Sequence, residues 1–98
     1  MAYKIVWLKR SIKKLENIIH YLENNWSKKV ALEFLDIINY KVFVISKNPQ
    51  IGMRSERKQN VRKLLITKQI YLFYTAKNDK IKILTVFDNR QDPVKLKL

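Results

Sequence analysis

Val61-Arg-Lys-Leu-Leu-Ile-Thr67, Ile70-Tyr-Leu-Phe-Tyr-Thr-Ala76 and Lys80-Ile-Lys-Ile-Leu-Thr-Val-Phe87 are three β-rich runs, separated only by Lys68-Gln69 and Lys77-Asn78-Asp79. Links so short permit hairpins, so the runs form an antiparallel meander. In the last run Ile81, Ile83, Thr85 and Phe87 alternate with Lys82, Leu84, Val86 and Asp88. Apolar residues in both sets mark an interior strand partly covered on each side. It runs into a polar, arginine-bearing ending, Asp88-Asn-Arg-Gln-Asp92.

Upstream, Tyr3-Lys-Ile-Val-Trp7 has the β-branched and aromatic character of a first strand. Ser11 offers an N-cap, and Ile12, Leu15, Ile18, Ile19 and Leu22 recur at helical spacing up to Asn24-Asn25. Ser27 caps a second helix, whose stripe is Val30, Ala31, Phe34, Leu35, Ile38, Val42 and Ile45. That helix stops at Asn48-Pro49, because proline disfavours the helical conformation in the residue before it. Two helices so closely linked fold back as an antiparallel hairpin. Trp7 and Trp26 are expected to pack the helices onto the sheet. Residues 49–60 contain the only glycine, Gly52, and read as a loop carrying Arg54, Arg57 and Lys58.

The order strand, helix, helix, strand, strand, strand predicts an α+β fold. A two-helix antiparallel hairpin packs on one face of a small, mainly antiparallel sheet of about four strands. Residues 1–98 are expected to form one domain. The opposite face is expected to be a groove or docking surface, and Val94-Lys-Leu-Lys-Leu98 either frays or docks along the sheet.

Lys and Arg number 21 against 8 Asp and Glu, a formal net charge of +13. Such a surplus attracts polyanions, so nucleic acid, a nucleic-acid machine or an acidic protein is the expected partner. There is no cysteine and one histidine, His20, at the boundary of the first helix's stripe. Disulfides, thiolate metal sites and histidine metal centres are therefore not expected, nor is any cofactor or small-molecule substrate. The opening residues lack a signal-peptide apolar region, and no run approaches the roughly 18 residues that span a bilayer. A cytoplasmic protein without a membrane partner is expected.

With these pieces in order, the sequence resembles the RelE/ParE toxins of bacterial type II toxin–antitoxin systems over nearly its whole length. The resemblance is carried by Tyr3–Trp7, by Ile12–Leu22 leading to Trp26-Ser27, and by Ala31, Phe34 and Leu35. It continues through Asn48-Pro49-Gln-Ile-Gly52, Val61-Arg62-Lys63-Leu64, Tyr71–Tyr74 and Ile83–Asp92. Phe87-Asp-Asn-Arg90-Gln-Asp92 looks most like the ParE branch. It departs from that branch at Gln91, where a second basic residue is common, and at Lys68-Gln69, which replaces the usual turn glycine.

The resemblance implies a toxin neutralised by a cognate antitoxin, which for so basic a chain is expected to be acidic. The ParE-like reading makes DNA gyrase the target, inhibited by binding. The alternative is a RelE-like, ribosome-dependent endoribonuclease acting on mRNA, and a second alternative is a basic binding module or toxin relic without toxicity. Metal-free RNA cleavage needs a base, an acid and cations around phosphorus. Arg54, Arg57, Arg62, Lys63 and Arg90 supply cations, but no Tyr or His follows Tyr74. As a nuclease the chain would rely on Arg62, Lys63, Arg90 and Tyr74, or on a lysine such as Lys63 or Lys95 as base. Tyr74 is more in keeping with the core. The expected target-binding set is Arg54, Arg57, Arg62, Lys63, Arg90 and Asp92, with Asp88 and Asp92 orienting Arg90. Arg62 opens the meander and Arg90 follows its end, so a strand's length separates them. Family likeness puts Arg62 on the open face of the sheet and Arg90 on its exposed edge.

Overall fold

The computed structural model describes residues 2–98. The three β-rich runs become β3 (Arg62–Thr67), β4 (Ile70–Lys77) and β5 (Lys80–Asp88), paired antiparallel as expected. Asn78 and Asp79 link β4 to β5 with φ of 53° and 62°. Two positive φ values in a two-residue link are the pattern of a type I′ turn, whose twist matches that of the strands. Lys68, in the β3–β4 turn, has φ 46° and so stands where glycine would be less strained.

The sheet has five strands in the order β1-β5-β4-β3-β2, rather than about four. β1 (Lys4–Trp7) lies parallel to β5 at one edge. β2 (Met53–Arg54) lies antiparallel to β3 at the other, inside the expected loop. Two residues are too few to show a period, so this strand leaves no trace in the pattern.

The helices are α1 (Lys9–Asn25) and α2 (Lys28–Lys47). Leu8, not Ser11, is the N-cap of α1. The chain passes from β1 straight into the helix, and the Leu8 carbonyl accepts from Ser11 N at 2.9 Å and Ile12 N at 3.1 Å. Buried Ser11 instead donates its hydroxyl to Leu8 O at 2.6 Å, a local bond that satisfies it inside the first turn. Ser27 caps α2 as expected, accepting from Val30 N at 3.1 Å. Phe34, Ile38 and Ile45 of α2 pack on Ile66, Leu72, Tyr74, Ile81, Ile83 and Val86 of the sheet, and Trp7 with Leu15, Ile18, Ile19 and Leu22 of α1 lean on this core, while Ile12 stays exposed. Trp26 does not. It is the C-cap of α1, its backbone N–H closing the last turn on Leu22 O, and it is 71% exposed.

A β-bulge corrects the expected alternation of β5. Phe73 pairs with Thr85, yet Tyr74 pairs with Ile83, so Leu84 is an extra residue. An inserted residue exchanges the faces of everything after it. Val86 therefore joins Ile81 and Ile83 in the core beneath the helices, while Leu84 and Phe87 share the opposite face with Val61 and Phe73. That face is not left open along its length, because Leu96 covers it, with Leu8, Tyr71 and Leu98 around it. Of the two readings of Val94–Leu98, docking along the sheet holds. Asp92 Oδ1 accepts from Val94 N at 3.0 Å to start a 3-10 turn over Pro93–Lys95. Arg57 Nη1 donates to Pro93 O at 3.0 Å and Leu96 O at 3.1 Å, and Lys58 Nζ to Leu98 O at 3.2 Å.

Candidate functional site

Arg90 stands just past the end of β5, and Asp88 holds it there. The Asp88 carboxylate accepts from Arg90 N at 2.8 Å, from Nε at 3.1 Å and from Nη2 at 2.7 Å. Asn89 N donates to Gln69 O at 2.8 Å, which ties this ending to the β3–β4 turn. With its oxygen turned toward Arg90, the Gln69 amide also accepts from Nε at 3.1 Å and Nη2 at 3.2 Å. The guanidinium is thus fixed through its own chain yet 68% exposed. It rims a groove of about 760 Å³ between the two helices and the sheet end, with Tyr21, Trp26 and Ile37 along its wall.

Hydrogen bonds from the Arg90 side chain, with smaller help from its backbone N–H and its charge, hold the Asp88 carboxyl below the usual range against the effect of burial. A depressed folded-state pKa means that Asp88 stabilises the fold above its unfolded-state pKa and loses that contribution as pH falls through the lower, folded-state value. Thermal melts of the wild type and Asp88→Asn should therefore differ at neutral pH and converge as the pH drops below about 3.9. An equal difference at every pH would refute the pairing.

At the other end of the sheet Arg54 and Arg62 face each other across β2 and β3. They line a second cleft of about 470 Å³. Arg62 Nη1 donates to Gly52 O at 2.8 Å and to Gln50 O at 3.3 Å. The expectation that Arg62 lies on the open face is corrected: it shares the two-residue period of Leu64 and Ile66, which face the helices. Lys63 is on the reverse side, its Nζ 5.1 Å from the centre of the Tyr71 ring.

Arg62 pairs with Tyr74, and Tyr74 with Ile83, five residues before Asp88. At strand rise that is roughly 15 Å, so Arg62 and Arg90 do not share a pocket. Tyr74 is fully buried, as its place in β4 suggested. Its hydroxyl donates to Pro49 O at 2.8 Å and accepts from Gly52 N at 2.9 Å. Burial pushes its phenol above the usual value, partly offset by the Gly52 N–H and the Arg62 charge. Arg57 and Asp92 are engaged in docking the segment after β5. Asp88 alone, not Asp92, ion-pairs with Arg90. His20 is exposed on α1, and Lys95 is exposed in the 3-10 turn.

The sequence pattern by itself marks neither Tyr21 nor Gln69 as a site residue. Tyr21 adjoins the α1 stripe, three residues from Ile18, and reads there as a boundary aromatic. Gln69 did carry a signal, since it stands in the turn where the family's glycine is missing.

Two helices on one face of a mixed five-stranded sheet, opened by a β-α-α segment, define the RelE/ParE-like class of small toxins. Solved structures with this fold include the chromosomal ParDE toxin–antitoxin system from P. aeruginosa (TM-score 0.77, 18% identity, 89% of this chain and 96% of that one). The RelBE2 toxin–antitoxin complex from Mycobacterium tuberculosis is similar too (TM-score 0.64, 12% identity, 90% and 99%). So is the YoeB dimer from Staphylococcus aureus (TM-score 0.62, 16% identity, 87% and 94%). No curated protein gives a significant sequence match. The family model for the ParE toxin of type II toxin–antitoxin systems matches residues 5–93, and the chain belongs to that family. Among the described residues no helix is long and apolar enough to cross a membrane.

Proposed function

We propose that this ParE-family toxin stops growth by binding and inhibiting DNA gyrase, with Arg90 as the central contact, and that it cleaves nothing itself. The observation behind this reading is the contrast between Arg90 and Tyr74. Arg90 is held rigid and offered to solvent at a groove, as a residue that anchors a partner should be. Tyr74, the tyrosine named as an acid–base candidate, has its proton committed to Pro49 and its pKa moved away from neutrality. A general base works best with a pKa near the operating pH. Arg54, Arg62 and Lys63 are further target contacts in this reading.

In a supercoiling assay with purified gyrase, the toxin should inhibit in a concentration-dependent way. Full supercoiling at large molar excess of toxin would overturn the proposal. One feature favours the ribosome-dependent endoribonuclease instead: Tyr21 lines the groove that Arg90 rims, placing a phenol near a guanidinium. Cleaved messages after induction, with gyrase unaffected, would select that reading.

The neighbours from P. aeruginosa and M. tuberculosis are toxin–antitoxin assemblies, which supports an antitoxin for this chain as well. Tyr21, Trp26 and Ile37 offer it apolar contacts, with Lys14, Lys68 and Arg90 on the same groove. An acidic amphipathic segment that folds on binding fits such a groove, and its charge offsets the self-repulsion of a +13 body.

A further inference from the structure

Arg54 and Arg62 are direct cross-strand partners. Like charges in that position oppose strand pairing, and β2 has only two residues with which to resist it. Among the described residues, the single ion pair in the molecule joins Arg90 to Asp88, and no residue lining the Arg54–Arg62 cleft is acidic. Two guanidiniums therefore meet in one cleft without a protein counterion. Arg62 is not a loose surface charge. Its Nη1 is tied to Gly52 O and Gln50 O, which orients the group and leaves Nε and Nη2 free to donate. The cleft walls add the side chains of Asn48, Gln59 and Asn60, with Tyr3 at one side.

We propose that this cleft is a phosphate-binding site. Two guanidiniums on neighbouring strands present two separate donor forks. A tetrahedral phosphate can accept from both, whereas a planar carboxylate is matched by one. Asn and Gln amides serve the remaining oxygens. A volume of about 470 Å³ exceeds what an isolated phosphate needs and falls within the roughly 300–1,000 Å³ of small-ligand pockets. The Tyr3 ring is an aromatic surface of the kind on which bases stack. The phosphate's source is accordingly a free nucleotide or a nucleic-acid backbone. This site lies at the opposite end of the sheet from Arg90 and does not depend on gyrase being the target.

The test is calorimetric titration of the folded chain with inorganic phosphate, AMP and the phosphodiester dinucleotide ApA, at ionic strength matched with chloride, with succinate as a dicarboxylate control. Saturable binding of a phosphate compound is expected, weakened about tenfold or more by Arg54→Gln. Arg54 is exposed and, among the described residues, its side chain makes no hydrogen bond, so this variant should fold, whereas Arg62→Gln loses the ties to the 50–52 segment. Lys28→Gln and Lys29→Gln, which remove equal charge at the start of α2, the far end of that helix from cleft-lining Asn48, should bind as the wild type does. Tighter binding of AMP than of ApA assigns a nucleotide, and the reverse assigns a phosphodiester backbone. Binding that is unchanged by Arg54→Gln, equally weakened by the lysine variants, or matched by succinate would overturn the proposal.

Discussion

Arg90→Ala is expected to abolish growth arrest on induction and to raise the gyrase-inhibitory concentration about a hundredfold or more, the scale of losing an arginine that anchors an interface. The fold should survive. Arg90 is 68% exposed and lies outside both apolar clusters, so its removal opens no cavity. Asp88, its side chain only 16% exposed, loses the guanidinium but still accepts from the backbone N–H of residue 90. Arg90→Lys should fall between the two. It keeps the charge but cannot reproduce the fork that grips Asp88 through Nε and Nη2. Growth curves after induction, beside circular dichroism and thermal melts of the purified variants, check all three statements. An Arg90→Ala chain that remains fully toxic would remove this residue from the site.

Tyr74→Phe should destabilise the chain by about 1–3 kcal/mol, because it leaves the Pro49 carbonyl and the buried Gly52 N–H without their partner. For a domain of this size that corresponds to a fall in Tm of several degrees. Gly52→Ala attacks the same junction from the other side. A Cβ there would lie 2.6 Å from Tyr74 Oη, 2.9 Å from Tyr74 Cε1 and 2.9 Å from Lys63 O. The ring is locked in the core and Lys63 O belongs to the sheet, so the 50–52 segment must shift, at a cost of about 1–3 kcal/mol. The double variant should cost less than the sum, since losing the hydroxyl relieves the closest contact. Urea unfolding of the two single variants and the double checks this, and strict additivity would separate the two residues. The effect reaches Arg62 as well, whose Nη1 bonds to Gly52 O and Gln50 O depend on the same segment.

This junction lies beyond what local pattern encodes. Tyr74 was legible as a core residue from its place in a β-rich run. Its hydroxyl partners stand 22 and 25 residues away, in a segment that read only as a loop. Arg90 was legible through the ending Phe87–Asp92, and its pairing with Asp88 is local enough to foresee. Gln69 and Tyr21 reach the same region only because the β3–β4 turn and the end of α1 converge on it.

What the sequence determined by itself is what short-range physics encodes. Links of two and three residues force hairpins, helical spacing places the α1 and α2 stripes, Ser27 caps α2, and Asn48-Pro49 ends it. From these follow the element order and the helical hairpin on its sheet, while the family is carried by the resemblance of the ordered motifs and by the family match. The tertiary structure decided the rest. Leu84 bulges out of register, and that one inserted residue sends Phe87 to the face that Leu96 covers. Arg57 serves the docked segment, Trp26 is left in solvent, and Arg54 meets Arg62 at the end of the sheet away from Arg90. Each of these depends on which distant segments return to one place. Periodicity along the chain is blind to that, because a single extra residue changes which side chains meet without altering the local pattern on either side of it.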